Sequence, residues 1–314
     1  MQLTAETKVL IQGLDRPLGR HYAQRMKAYG TSVVAGVSVG QGGTTIHDIP
    51  CFNLVETAIA HEGDISTSVI FVEPYHVLDA ALEAIESGIR QLAIVTAGIP
   101  PLDLMRLFEK AKATNTLILG PGSAGAIVPE KIWLGTCEPQ FYTPGHVGII
   151  SRSDRLADEV ALQLTQAQIG QSMAIHLGTG VMIGSSFQDW LKILADDPAT
   201  EVILLIEQNG QGSHEAAQEL QDLNLTKPII AYVVGHQVPM TAPKSQAASE
   251  IASQLTCTIP HTNMAKQKIA AFKKAKIAIA DYPRDLPDLI QKALTPKSSR
   301  RRTTSRSRKS TAKS

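Results

Sequence analysis

The feature that most constrains this chain is a unit it repeats: a short apolar run rich in β-branched residues, a glycine-bearing loop, then an amphipathic stretch. Its fullest instance is Lys227-Pro-Ile-Ile-Ala-Tyr-Val-Val-Gly235, which reads as a buried parallel strand emptying into a loop. In an open α/β sheet, ligands and catalytic groups collect at the C-terminal ends of the strands. Chemistry is therefore expected in the glycine loops, above all in the stretch 236–249.

The unit recurs in two sets. In the first, strands are expected at 8–12, 32–37, 68–72, 91–95 and 116–119, with helices at 20–29, 76–88 and 101–113. In the second, strands fall at 145–150, 172–177, 202–206 and 227–235, with helices at 151–168, 186–196, 214–223, 264–275 and 286–294. Such alternation predicts α/β architecture with parallel, doubly wound sheets. A length of 314 residues suits two domains, each able to bury a core. The expected division is 1–129 for the first, 130–144 for a linker with two prolines and little periodicity, 145–296 for the second, and 297–314 for a tail.

Charge separates the tail from the rest. Eight of the 30 Lys/Arg lie in residues 297–314, which hold no acid, so the body carries 22 basic against 29 acidic residues. The tail has almost no apolar residue and is expected to be disordered. It suits either a solubilising role or salt-dependent attraction to a polyanion or an acidic protein face. It lacks aromatic residues for base stacking, so sequence-specific recognition of nucleic acid is not expected. Three scattered cysteines, Cys51, Cys137 and Cys257, form no CxxC pair. They point to reduced thiols and a cytoplasmic setting, and away from a zinc site; no metal is expected. No signal-like N-terminus and no apolar run of the ~18 to 20 residues a membrane span requires is found.

Gly13-Leu-Asp-Arg-Pro-Leu-Gly19 lies between the first strand and the first helix, the opening of a nucleotide-binding βαβ unit. Two glycines six apart are not GxGxxG. For Gly13, Gly19, Gly42 and Gly43 two readings stay open, tight βα turns or ligand binding. With Gly36-Val-Ser-Val-Gly-Gln-Gly-Gly-Thr-Thr45, Thr96-Ala-Gly-Ile-Pro100 and Leu119-Gly-Pro-Gly-Ser-Ala-Gly125, the order of loops resembles the CoA-binding domain of the succinyl-CoA synthetase α subunit. The second set is similar to that family's flavodoxin-like ligase domain. The resemblance implies a Rossmann-like domain followed by a flavodoxin-like one, CoA as ligand, and a β-subunit-like partner. It places CoA contacts at Gly13, Asp15, Arg16, Gly19, Gln41, Gly42, Thr96 and Gly98.

The departures from that family fall on polar groups. Asp15 adds a negative charge to the first loop, and Pro17 removes an N–H from it. Gln41 stands where the family usually has a lysine. Arg16 either attracts phosphate or forms a surface ion pair with Asp15. In Met240-Thr-Ala-Pro-Lys-Ser-Gln-Ala-Ala-Ser249, the family's phosphorylated histidine is replaced by Gln246. A carboxamide cannot accept and pass on a phosphoryl group. Gln208 and Ala97 replace the two catalytic-site glutamates. Ser153, Asp154 and Arg155 match the helix start that holds the phosphate, and Asp154 reads as an N-cap that repels an anion. Glu207, one residue from Gln208, is expected to point to the opposite face. His236 and His261 read as surface histidines and His176 as a buried, hydrogen-bonded one. No Walker A loop, HExxH or nucleophile elbow is present. The resemblance thus implies a pseudoenzyme. Two alternatives stand beside it, an active ATP- or GTP-dependent ligase subunit and an adaptor working through the tail.

Overall fold

A computed structural model describes residues 3–178, 180, 182–207, 226–234 and 264–295. Seven strands form the first sheet: β1 (Val9–Gln12), β2 (Val33–Val37), β3 (Thr45–Ile46), β4 (Ile49–Phe52), β5 (Thr67–Ile70), β6 (Gln91–Ile94) and β7 (Leu117–Leu119). Their order is β3-β4-β2-β1-β5-β6-β7, and every pairing is parallel except the β3–β4 hairpin. Without β3 this is the dinucleotide-binding order 3-2-1-4-5-6, which reverses between β1 and β5. The helices of this half are α1 (Pro17–Tyr29), α2 (Val55–Glu62), α3 (Val77–Glu86) and α4 (Pro101–Ala113). Helix α1 begins three residues before the expected start because Pro17, with its fixed φ and missing N–H, suits the first helical position.

The second sheet has the order β14-β13-β12-β10-β11-β8-β9. Its strands are β8 (Gly125–Val128), β9 (Ile132–Gly135), β10 (Pro144–Ser151), β11 (Gln171–His176), β12 (Val202–Glu207), β13 (Ile229–Val233) and β14 (Ala278–Ala280). The five strands from β10 onward are parallel in the flavodoxin-like order, reversing between β10 and β12. Helices α5 (Asp154–Gln166), α6 (Phe187–Asp196), α7 (Met264–Lys274) and α8 (Leu286–Leu294) accompany them. Among the described residues no helix is long and apolar enough to cross a membrane.

The stretch expected to be a linker is different. Strands β8 and β9 form an antiparallel hairpin across position 130, and β8 pairs with β11 to extend the second sheet. Trp133 of β9 is buried. Its backbone exchanges two hydrogen bonds with the Thr31 hydroxyl, at 3.0 and 2.8 Å. The hairpin thus belongs to one sheet while packing on α1 of the other. Strands this short, interrupted by Pro129 and Glu130, carry too little alternation to stand out in sequence. Glu130 itself adopts a positive φ of 60°, the left-handed turn that reverses the chain.

Candidate functional site

Each half offers a site at the place where its strand order reverses. In the first, a cleft of about 600 Å³ opens over the ends of β1, β2 and β5. It is lined by Gln12, Gly13, Asp15 and Arg16, by Val37 to Val39 and Asn53, and on the far wall by His76, Asp79 and Glu83. The turn itself explains two glycines. Gly13 has φ +85°, and a Cβ on Gly19 would lie 2.1 Å from the Gly13 carbonyl oxygen. These glycines let α1 sit directly on the β1 loop. Gln12 forms the floor, buried, donating to the Ala80 carbonyl at 2.7 Å and accepting from the Ser68 hydroxyl at 2.8 Å.

The polar groups around this cleft are turned toward one another. The Arg16 guanidinium lies 2.9 Å from Glu73 and 3.8 Å from Asp15, an ion pair with an acid on either side. Asn53 accepts from the backbone N–H groups of Gly40 and Gly42, at 2.9 and 3.0 Å. Those donors of the second glycine loop are thereby engaged within the protein. Gln41 is exposed beside them, with its N–H on the Ser38 carbonyl. Thr96 donates to the Val72 carbonyl at 2.6 Å, Gly98 takes φ +75°, and Ala97 packs beside Gly122. A cleft of this size at the point where the strand order reverses suits a small-molecule ligand. Its walls carry acids, Asp15, Asp79 and Glu83.

Asn53, His76, Asp79 and Glu83 were not among the residues expected here. Asn53 follows β4, an element the sequence pattern did not reveal. Asp79 and Glu83 did leave a signal, two acids four apart on the helix expected at 76–88, hence on one face. Glu83 also accepts from the Val55 N–H at 2.8 Å, capping α2.

The second site lies between β10 and β12. Ser153 is the N-cap of α5 and makes no side-chain capping bond, while Asp154 is the first helical residue. The capping position therefore belongs to Ser153 and not, as expected, to Asp154. Ser153 instead exchanges bonds with Ser151: its N–H donates to the Ser151 hydroxyl at 2.9 Å, which donates back to its carbonyl at 2.8 Å. Arg155 is exposed. Arg152 donates to the Gly180 carbonyl at 2.6 Å. Glu207, at the end of β12, is buried and paired with Lys268 of α7 at 3.1 Å. Burial holds the Glu207 carboxyl above its usual value and the Lys268 ammonium below its own, and the pair's attraction opposes both shifts. Gln208, Gln246, His236, His261 and Cys257 lie outside the described residues, as does the tail.

His176, expected to be buried and hydrogen-bonded, is so. Its Nε2 is 3.2 Å from the Tyr142 hydroxyl, which donates to Asp158 at 2.7 Å. Burial lowers the His176 pKa to about 4 and raises that of Asp158. Burial likewise raises the thiol pKa of Cys51 and Cys137, so both are thiols and not thiolates at neutral pH. Among the described residues no three His, Cys, Asp or Glu converge to hold a metal.

Comparison with known proteins agrees with this architecture. A CoA-binding domain model matches residues 4–98, and a model of the flavodoxin-like domain of succinyl-CoA ligase matches 144–291. Together with the two sheets they define a protein of the CoA-ligase class. The α chain of a succinate–CoA ligase (ADP-forming) from Archaeoglobus fulgidus is 33% identical over 288 residues, covering 92% of this chain and 97% of that one. The malate–CoA ligase α subunit of Methylorubrum extorquens is 35% identical over 282 residues, 88% of this chain and 93% of its own. The chain belongs to the family of succinyl-CoA synthetase α subunits. In fold it is similar to ATP citrate lyase of Methanothrix soehngenii, with TM-score 0.75 and 20% identity. That match covers 94% of this chain but only 52% of the lyase chain, so this protein spans about half the lyase's length.

Proposed function

We propose that this chain is a non-catalytic member of its family that binds CoA in the β1–β2–β5 cleft and acts with a β-subunit-like partner. The observation that carries the reading is Gln246, standing where the family resemblance puts the phosphorylated histidine. A carboxamide has no nitrogen nucleophile for phosphoryl transfer. Three further features support it. Gln208 and Ala97 leave the site without its two carboxylates. Glu207 is held by Lys268 inside the fold, and so is no stand-in for the glutamate that Gln208 replaces. The sequence has an acid, Asp154, as the first residue of α5, at the helix end whose partial positive charge a phosphate would need.

A second reading, an active ligase α subunit, is favoured by the 33–35% identity to ligase α chains along nearly their whole length. One experiment separates the two. Incubated with radiolabelled ATP, Mg²⁺ and a ligase β subunit, the protein is expected to take up no acid-labile phosphoryl group while an authentic α subunit is labelled alongside. Label on this chain would establish the second reading.

A further inference from the structure

We infer that the β1–β2–β5 cleft is a docking surface for a basic peptide, and that its occupant is the chain's own segment 297–314. The inference rests on the CoA-cleft reading only in that the two ligands would share one space. Three wall carboxylates, Asp15, Asp79 and Glu83, face the cleft, and Glu73 adds a fourth acid beside Arg16. The one lining cation, Arg16, is already spent on Glu73 and Asp15. One cation against four acids leaves the trough net acidic.

The form of the trough decides what it takes. Its carboxylates are spread over about 600 Å³ and do not converge on a point, and no metal-holding group is found among the described residues. Separated acids match separated cations along a strand of peptide, not one compact ion. Residues 297–314 supply that pattern: Lys297, Arg300, Arg301, Arg302, Arg306, Arg308, Lys309 and Lys313, with no acid between them. Guanidinium groups pair with carboxylates through two parallel hydrogen bonds. The exposed ring of Tyr75, next to the lining residue His76, offers a face on which an arginine can rest.

The residues beyond Thr295 span up to roughly 60 Å when extended, against a breadth of roughly 50 Å for a folded chain of this size, so the distal cations, Arg306 to Lys313, are the ones this length would bring to the cleft. Bound there, the segment places cations where CoA phosphates would lie and occupies the same volume, so the two compete.

The test uses a fluorescent synthetic peptide of residues 297–314, the full chain, and the chain ending at residue 296. Saturable peptide binding to the shortened chain is expected, weakening steeply with added salt. The full chain should bind the peptide at least about fivefold more weakly, since its cleft is already filled. Asp79→Asn should weaken binding about threefold, and Asp15→Asn with Asp79→Asn about tenfold. Unchanged peptide binding by the double variant, or equal binding by full and shortened chains, overturns the inference. Calorimetry with CoA on both chains keeps the two readings apart. CoA binding that is tighter in the shortened chain and displaced by peptide supports both. Peptide binding with no CoA binding by either chain removes the CoA reading and leaves the docking surface. CoA binding that is equal in both chains and indifferent to peptide does the reverse.

Discussion

At the scale of single residues, the buried polar groups carry the firmest expectations. His176 is fully buried and its pKa falls to about 4, against 6.5 for an ordinary histidine. A histidine held neutral in the fold but free to protonate when unfolded contributes stability above its unfolded value. That contribution is lost as pH falls from 6.5 toward 4, because the unfolded chain then binds the extra proton. Between pH 7 and pH 5 the loss is about 2 kcal/mol from this group alone. Denaturant unfolding of the wild type and of His176→Gln at the two pH values measures it as the difference between their pH slopes. A variant as pH-sensitive as the wild type would remove His176 as the cause. The raised pKa of Asp158 acts with the opposite sign, since its folded form holds a proton more tightly, so the two must be separated by mutation. Glycine meaning is equally local. Gly19 could not be interpreted from its spacing alone, yet the 2.1 Å approach of its absent Cβ to the Gly13 carbonyl shows a packing requirement that exists with or without a ligand.

At the scale of elements, the Glu207–Lys268 pair fastens α7 to the end of β12. Both side chains are nearly inaccessible, at 2% and 4%. Removing one partner leaves the other charge buried and uncompensated, which typically costs about 3–5 kcal/mol, whereas replacing both by apolar groups is often near neutral. Lys268→Met is therefore expected to destabilise strongly and Glu207→Leu with Lys268→Met to recover most of the loss, in a denaturant double-mutant cycle. Additive losses would mean that the pair contributes nothing as a pair. The elements also show how far sequence reaches. The strongly periodic ones, α4 and α8 above all, appear where the pattern puts them, because apolar spacing and burial are the same fact seen twice. Elements β3, β4, α2 and the β8–β9 hairpin escaped: they are short, and their identity comes from neighbours distant in sequence. The candidate sites divide the same way. The loops at both reversal points were legible from glycine and strand ends. The partners that neutralise Arg16 and the backbone donors of Gly40 and Gly42 were not, since Glu73 and Asn53 reach them only through tertiary structure.

At the scale of the whole molecule, the question is whether two sheets make two independent units. The seam argues otherwise. Trp133 of the second sheet's edge hairpin packs edge-on against Tyr22 and Tyr29 of α1. Arg25 of α1 lies 5.1 Å over the Trp133 ring and pairs with Glu138 at 3.0 Å. One continuous cluster of buried side chains runs from Val9 and Leu14 in the first half to Ile150 and Leu205 in the second. Units that share a core cannot open separately without exposing it, and aromatic burial dominates that cost. The chain's two tryptophans allow a direct measurement, because Trp190 lies in the second half and Trp133 on the seam. In a Trp190→Phe variant all tryptophan emission comes from the seam, while far-ultraviolet circular dichroism reports both sheets. A single unfolding transition with coincident midpoints by the two signals is expected. Arg25→Ala should lower both midpoints together. Separate transitions, with the seam signal changing first and half the dichroism surviving, would instead mean that the hairpin merely rests on α1 and that each sheet stands by its own core.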